Sequence, residues 1–216
     1  MLSYIDIHSH HLHNSPEVLS ILNLRAGEEL PATEPLHVSY GVHPWDADKP
    51  EKTKLLDDIF LIKNLLAIGE CGMDKLRGPN LELQKNLFIK HVAISEQIHK
   101  PVIIHCVGYF NELIALRRKN SYSQQWIIHG FRGHPQLARQ LIDCGILLSF
   151  GEALFRANSK AIQALQTLQA EQWFLETDES KLPIKLIYQR AAEICQLSIE
   201  ELLEQQHKNF ISTFIA

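Results

Sequence analysis

The sequence predicts a small (β/α)8 barrel of the TIM type, with its chemistry at the C-terminal ends of the strands. Three observations carry this expectation. Short apolar, β-branched runs recur along the chain, each followed by polar or glycine-bearing residues and then by a helical pattern. The runs are continuous more than alternating, as parallel strands covered on both faces require. Residues able to ligate a metal recur where these runs end. An open doubly wound sheet is the alternative, but neither a GxGxxG nor a Walker-type loop follows the first run.

The expected strands, in order, are Tyr4–His8, Ile21–Arg25, His37–Val42, Leu65–Glu70, Pro101–His105, Trp126–His129, Ile146–Phe150 and Trp173–Thr177. Residues 26–36 read as a loop. The clearest helix is Leu81–His99, where Leu83, Leu87, Val92, Ile94 and Ile98 fall near helical spacing. A second helix is expected over Pro135–Asp143, closed by Cys144 and by Gly145, a residue suited to a left-handed cap. Pro183–Gln196 starts with a proline where its missing N–H costs little. The Ser198-Ile-Glu-Glu201 capping box opens a last helix that runs to about Phe214. No linker or repeat interrupts the series, so residues 1–216 are expected to form a single domain.

Composition bounds the function. The chain has 216 residues and a net charge of −4, which argues against a broad nucleic-acid-coating surface and leaves room for a local basic groove. Cys71, Cys106, Cys144 and Cys195 form no CxxC pair and read as small buried groups in a reducing compartment. With no basic n-region and no long apolar run, a cytosolic protein without a membrane span is expected. Twelve histidines are the unusual feature.

They are explained by position. In Tyr4-Ile-Asp-Ile-His-Ser-His10, alternate side chains of an extended strand place Asp6, His8 and His10 on one face. Glu70 ends the fourth run, His105 the fifth and His129 the sixth, and Asp178 follows the eighth. Glu70 and His105 are 35 residues apart and His105 and His129 are 24 apart, each near the length of one strand–helix–strand unit. Four imidazoles and two carboxylates exceed what one catalytic ion takes and suit two divalent ions, with Glu70 placed to bridge them. Imidazole favours Zn, Mn, Co or Fe over Mg, and the ion's identity stays open. Two ions about 3.5–4 Å apart would activate a shared water, with Asp178 as general base. Asp6 is expected to orient an imidazole or the mouth without itself ligating. His43, at the end of the third run in Gly-Val-His-Pro, reads as a substrate contact, with a structural hydrogen-bonding role as the alternative. His134 stands between a functional and an incidental reading. His11, His13, His37, His91, His99 and His207 read as solvated or incidental.

The chain resembles the TatD family of metal-dependent hydrolases, within the amidohydrolase-like barrels. The resemblance rests on Asp6-Ile-His-Ser-His10, Gly41-Val-His-Pro44, Ala67-Ile-Gly-Glu-Cys-Gly-Met-Asp74, Gln84 and Phe88, Lys100-Pro-Val-Ile-Ile-His105, Ile127-Ile-His-Gly-Phe-Arg-Gly133, Ser149-Phe-Gly151 and Leu175-Glu-Thr-Asp178. The closing helix, with Asn209-Phe and Phe214, adds to it. It implies that His8, His10, Glu70 and Asp178 hold one ion and that Glu70, His105 and His129 hold the other. It also implies phosphodiester hydrolysis of DNA, often from the 3′ end.

Departures cluster at the substrate side. His105-Cys-Val-Gly-Tyr-Phe110 replaces the family's usual Ser-Arg-Asp-Ala, removing a partner expected for Asp74. Lys75 stands where an aromatic residue is usual. Glu179-Ser-Lys-Leu-Pro183 shortens a loop that would wall the cleft. Arg132 replaces a small residue and is able to meet a phosphate, and His43 and Asp74 are the other substrate-side residues expected. The substrate expected is DNA or a small phosphoester, and no protein partner is predicted. Two other functions compete with a DNase. One is a hydrolase of a small phosphoester, ester or amide, and the other is a metal-stabilised binding module without activity.

Overall fold

A computed structural model describes residues 2–13, 15–28 and 37–215. Its strands are β1 (Tyr4–Ser9), β2 (Val18–Arg25), β3 (Val38–Gly41), β4 (Leu65–Asp74), β5 (Val102–Val107), β6 (Trp126–Ile128), β7 (Ile146–Phe150) and β8 (Trp173–Leu175). Its helices are α1 (Pro50–Lys54), α2 (Leu81–Ile98), α3 (Phe110–Lys119), α4 (Pro135–Ile142), α5 (Lys160–Leu165), α6 (Ile184–Cys195) and α7 (Ile199–Phe210), the last passing into a π-helical turn over Ile211–Ile215. The sheet order is β1 through β8 in sequence, the order of the (β/α)8 class. Of the loop expected over 26–36, residues 29–36 lie outside the described residues. Among those described, no helix is long and apolar enough to cross a membrane.

All eight expected strands are present, with shifted ends. β4 runs on past Glu70 to Asp74 because Gly72, at φ +141°, lets β5 come close. A Cβ on Gly72 would stand 2.1 Å from the His105 carbonyl oxygen, so only glycine permits this register, in which Gly72 pairs with His105. β8 stops at Leu175, and only a bridge from Asp178 to Ser9 follows it.

The chain divides into two compact units, residues up to 22 together with those from 129 onward, and residues 23–128. In the first, β1 pairs in parallel with the start of β2, Tyr4 opposite Val18, and β7 pairs with β8, Leu148 opposite Trp173. The two closing helices hold these strands by specific bonds. Tyr188 on α6, fully buried, accepts the Ile5 amide at 3.0 Å and donates to the Ile5 carbonyl at 3.1 Å. On α7, Gln206 and Asn209 donate to the Trp173 carbonyl at 3.0 and 3.1 Å. The expected capping box is in place, Ser198 Oγ accepting the Glu201 amide at 3.2 Å.

The second unit contains β3–β4–β5–β6 and α2. Asn80 caps α2 by accepting the Leu83 amide at 3.1 Å, and His99 ends it in a left-handed conformation. The buried stripe of α2 runs Gln84, Leu87, Phe88, His91, Val92, Ile94 and Ser95. His91 is therefore not solvated, as its polarity suggested. It stands four residues after Leu87 on the inward face and is wholly buried. Its Nδ1 donates to the Leu87 carbonyl at 2.8 Å and its Nε2 accepts the Val42 amide at 2.9 Å, so the ring must be neutral. Burial pushes its pKa down from 6.5 to about 4.

Two outcomes follow. Tyr188→Phe leaves the Ile5 amide and carbonyl inside without their partner and should cost about 1–3 kcal/mol in urea unfolding. The folded pKa of His91 lies below its unfolded value, so the unfolded chain binds the extra proton and stability falls with acid. The loss should begin near pH 6.5, be complete below pH 4 and reach about 3 kcal/mol. In His91→Gln this part of the pH dependence of unfolding should vanish.

Candidate metal centre

In the first unit, β1 buries Ile5 and Ile7 among apolar neighbours and turns Asp6 and His8, both fully buried, the other way. His8 Nε2 and His10 Nε2 stand 3.7 and 3.5 Å from Asp178 Oδ1. Asp178 itself sits at φ +55°, a left-handed conformation that aspartate tolerates better than most residues. It is held there from both sides. Its amide donates to the His8 carbonyl at 2.9 Å, and its carbonyl accepts the His10 amide at 3.0 Å. Just before it, Thr177 donates its amide at 3.0 Å and its hydroxyl at 2.6 Å to the Asp6 carboxylate. Asp6 thus acts on the chain that carries a predicted ligand. It fixes the backbone from which Asp178 projects.

His13 is also engaged, against the incidental reading. Its Nε2 lies 3.1 Å from Asp6 Oδ2, and that hydrogen bond raises its pKa against the opposing effect of burial. His129 stacks against His8 with ring centres 4.3 Å apart and has Nδ1 3.7 Å from Glu176 Oε1. Glu176, almost wholly buried, accepts the Ser149 hydroxyl, and burial pushes its carboxyl upward against the pull of His129 and Ser149. Sequence reasoning missed Glu176. The available signal was its spacing two residues before Asp178, the parity that gives two side chains one face of an extended segment. Arg132 faces a cavity of about 330 Å³ that Asp178, Glu152, Glu179 and Ser180 also line.

In the second unit, Glu70 is the centre. Asn23 accepts its amide at 2.9 Å and the Ser39 hydroxyl at 3.2 Å, and Asn23 Nδ2 donates to Glu70 Oε2 at 3.4 Å. Arg25 Nη2 lies 3.7 Å from the same oxygen. His43 Nε2 and His105 Nδ1 approach Glu70 Oε1 at 3.3 and 2.9 Å. Burial lowers the His43 pKa, opposed by Glu70, so the ring favours its neutral, ligating form. His105 Nε2 reaches Asp74 Oδ2 at 3.2 Å, where Trp45 Nε1 also donates at 2.7 Å. Burial acts to raise the Asp74 carboxyl, but Trp45, the Leu76 amide and His105 outweigh it and hold the group below the usual carboxylate range. Asp74 thus finds its partners in Trp45 and His105, where the sequence offered none. Asn23, Ser39 and Trp45 carried no motif by which to find them.

These side chains fit divalent metal. His8–His10–Asp178 and His129–Glu176–Asp178 in the first unit, and His43–Glu70–His105 in the second, each offer donor atoms within 4.8 Å of one another. Two donors about 2.1 Å from an ion at a tetrahedral angle stand about 3.4 Å apart. The separations at Asp178 Oδ1 and between His43 and Glu70 are close to that figure. Mixed imidazole and carboxylate donors suit borderline ions.

A (β/α)8 chain with imidazole–carboxylate clusters where its strands end is of the metal-dependent hydrolase class. The chain belongs to the TatD related DNase family, whose model matches residues 19–215. β1, with His8 and His10, precedes the matched span, and its part in the site rests on the geometry above. An uncharacterized metal-dependent hydrolase of Methanocaldococcus jannaschii is 25% identical over 83% of this chain and 76% of its own. A putative deoxyribonuclease of Mus musculus is 26% identical over 81% and 67%. The crystal structure of a TatD homologue from Escherichia coli K12 superposes with a TM-score of 0.85 at 19% identity, covering 99% of this chain and 98% of that one. This last likeness concerns the fold.

The clamp on Asp178 can be tested. Thr177→Val keeps the side-chain shape but loses the hydroxyl bond to Asp6. It should weaken binding of Mn²⁺ or Zn²⁺ about tenfold by titration calorimetry, while Thr177→Ser should restore it.

Proposed function

We propose that the protein hydrolyses phosphodiester bonds in DNA, using two divalent ions held by His8, His10, Glu70, His105, His129 and Asp178. The observation that carries this reading is the pair of imidazoles set against Asp178 Oδ1 beside a cavity that holds Arg132. The family's description and the name of the mouse relative support DNA as the substrate. The ligand set follows the motif series, in which the resemblance would assign Glu70 to both ions. When bound, the ions supply Lewis-acid activation of water and of the phosphoryl group.

The chain's own residues supply the rest. The Asp178 side chain keeps 30% of its surface open while His8 beside it is sealed, so the carboxylate can take a proton from a water that reaches the cavity. Arg132 offers a planar, permanently charged fork to a phosphate in that cavity. Glu176 orients His129, with Ser149 holding the carboxylate in place. His43 is the intermediate case. Its position at the end of the third run reads as a substrate contact, and its approach to Glu70 also suits a ligand.

A second reading, hydrolysis of a small phosphoester, ester or amide, is favoured by the Glu152 and Glu179 carboxylates on the same cavity, which repel a long polyanion. One assay separates the two. Protein loaded with Mn²⁺ or Mg²⁺ should release nucleotides from single-stranded DNA, and Asp178→Asn or Glu70→Ala should lower kcat at least about a hundredfold. Metal-loaded protein that leaves oligonucleotides intact for hours but turns over a small ester would replace the first reading by the second.

A further inference from the structure

The segment between β4 and α2 carries groups that the metal centre does not use. Its backbone is pinned at many points. Asp74 Oδ1 accepts the Leu76 and Arg77 amides at 2.8 and 3.2 Å. Gln84, buried on α2, accepts the Asp74 amide at 2.7 Å and donates to the carbonyls of Asp74, Arg77 and Pro79 at 3.0, 3.3 and 2.7 Å. Gly78, at φ +85°, packs so closely that a Cβ there would lie 3.0 Å from Trp45 Cα. Backbone held in this way has little freedom left to lose on binding.

The segment presents an apolar tip between two cations. Lys75, Leu76 and Arg77 all point to solvent, Leu76 with 80% of its surface exposed. The Arg77 guanidinium lies over the Trp45 ring, 4.9 Å from its centre. Among the described residues no carboxylate forms an ion pair with Lys75 or Arg77, although nearby Lys49 and Lys52 both pair with Asp46. The strip joins the site directly. Asp74, which caps it, also holds His105, and Trp45, beneath Arg77, donates to that same carboxylate.

We propose that Lys75, Leu76, Arg77 and Trp45 form a docking strip for a single strand of nucleic acid leading to the Glu70–His105 side of the site. Two unpaired cations meet backbone phosphates, and the apolar tip of Leu76 meets the face of a base. A duplex keeps its base faces stacked, so an exposed apolar tip beside two cations matches an unpaired strand. In a protein with a net charge of −4, a local cationic strip favours a polyanion at this part of the surface. The proposal rests on the nuclease reading above, and it places the strand's grip on residues that the motif series does not include.

The test compares wild type, Lys75→Ala/Arg77→Gln and Leu76→Ala on two substrates, a mixed-sequence single-stranded DNA oligonucleotide and the small diester bis-p-nitrophenyl phosphate. The double variant should raise KM for the oligonucleotide about tenfold with kcat within about twofold. Its log–log dependence of KM on salt should become shallower by about 1.4, roughly 0.7 for each lost phosphate contact. Leu76→Ala should raise KM about threefold without changing the salt slope. KM for the small diester should stay within about twofold in both variants. Oligonucleotide KM and salt slope that ignore the double variant, or a small-diester KM that rises in parallel, would overturn the docking strip while leaving the nuclease reading intact. Wild-type protein that neither binds nor cleaves the oligonucleotide sinks the nuclease reading, and the strip with it.

Discussion

Withdrawing carboxylates from water is the constraint on which this protein's architecture turns. Asp6 has no exposed surface and Glu70 has 2%, and a carboxylate so placed is tolerable only when its oxygens find donors or cations. Each unit meets the demand with its own chemistry. Around Asp6 the donors are the amide and hydroxyl of Thr177 and the ring of His13. Around Glu70 they are Asn23, His43 and His105, with Arg25 at the edge. The bonds that offset the cost of burial also set the geometry of the ligands, so stability and function are served by the same contacts.

Burial also divides the labour among the acids. Glu70 and Glu176 are sealed, and their surroundings suit a ligand or an orienting group. Asp178 alone among the three keeps an open face, and its left-handed backbone is the conformation that turns it there. Such a conformation persists only where neighbours over-determine it. The Thr177–Asp6 bonds and the backbone pair with β1 do so. Histidines outside the motif series contribute to the same end. His91 fixes the amide of Val42, the residue before His43, and His13 supports Asp6.

Each unit carries exposed charge near its candidate ligands. Lys75 is exposed in the second unit, and in the first Arg132, Glu152 and Glu179 line the cavity beside Asp178. On the proposed reading, chemistry and substrate choice are separable in this chain. The first depends on buried groups that tolerate little change, and the second on exposed loops where a change of charge costs little stability.

By itself the sequence determined the alternation of strands and helices and the spacing of the candidate ligand residues. Both are periodic properties, read from apolar runs, from the two-residue parity of a strand and from spacings near the length of one β/α unit. The capping box at Ser198 and the glycine after α4 were legible for the same reason, being local chemistry. Contacts between side chains remote in sequence were not. Nothing in a one-dimensional pattern sets Asn23 against Glu70, Trp45 against Asp74 or Thr177 against Asp6. A histidine at a helical position reads as polar until the packing shows which face it occupies, as His91 does. Only the tertiary structure decided which polar groups are buried, because burial depends on what surrounds a residue in space, and the partners each one acquires follow from that.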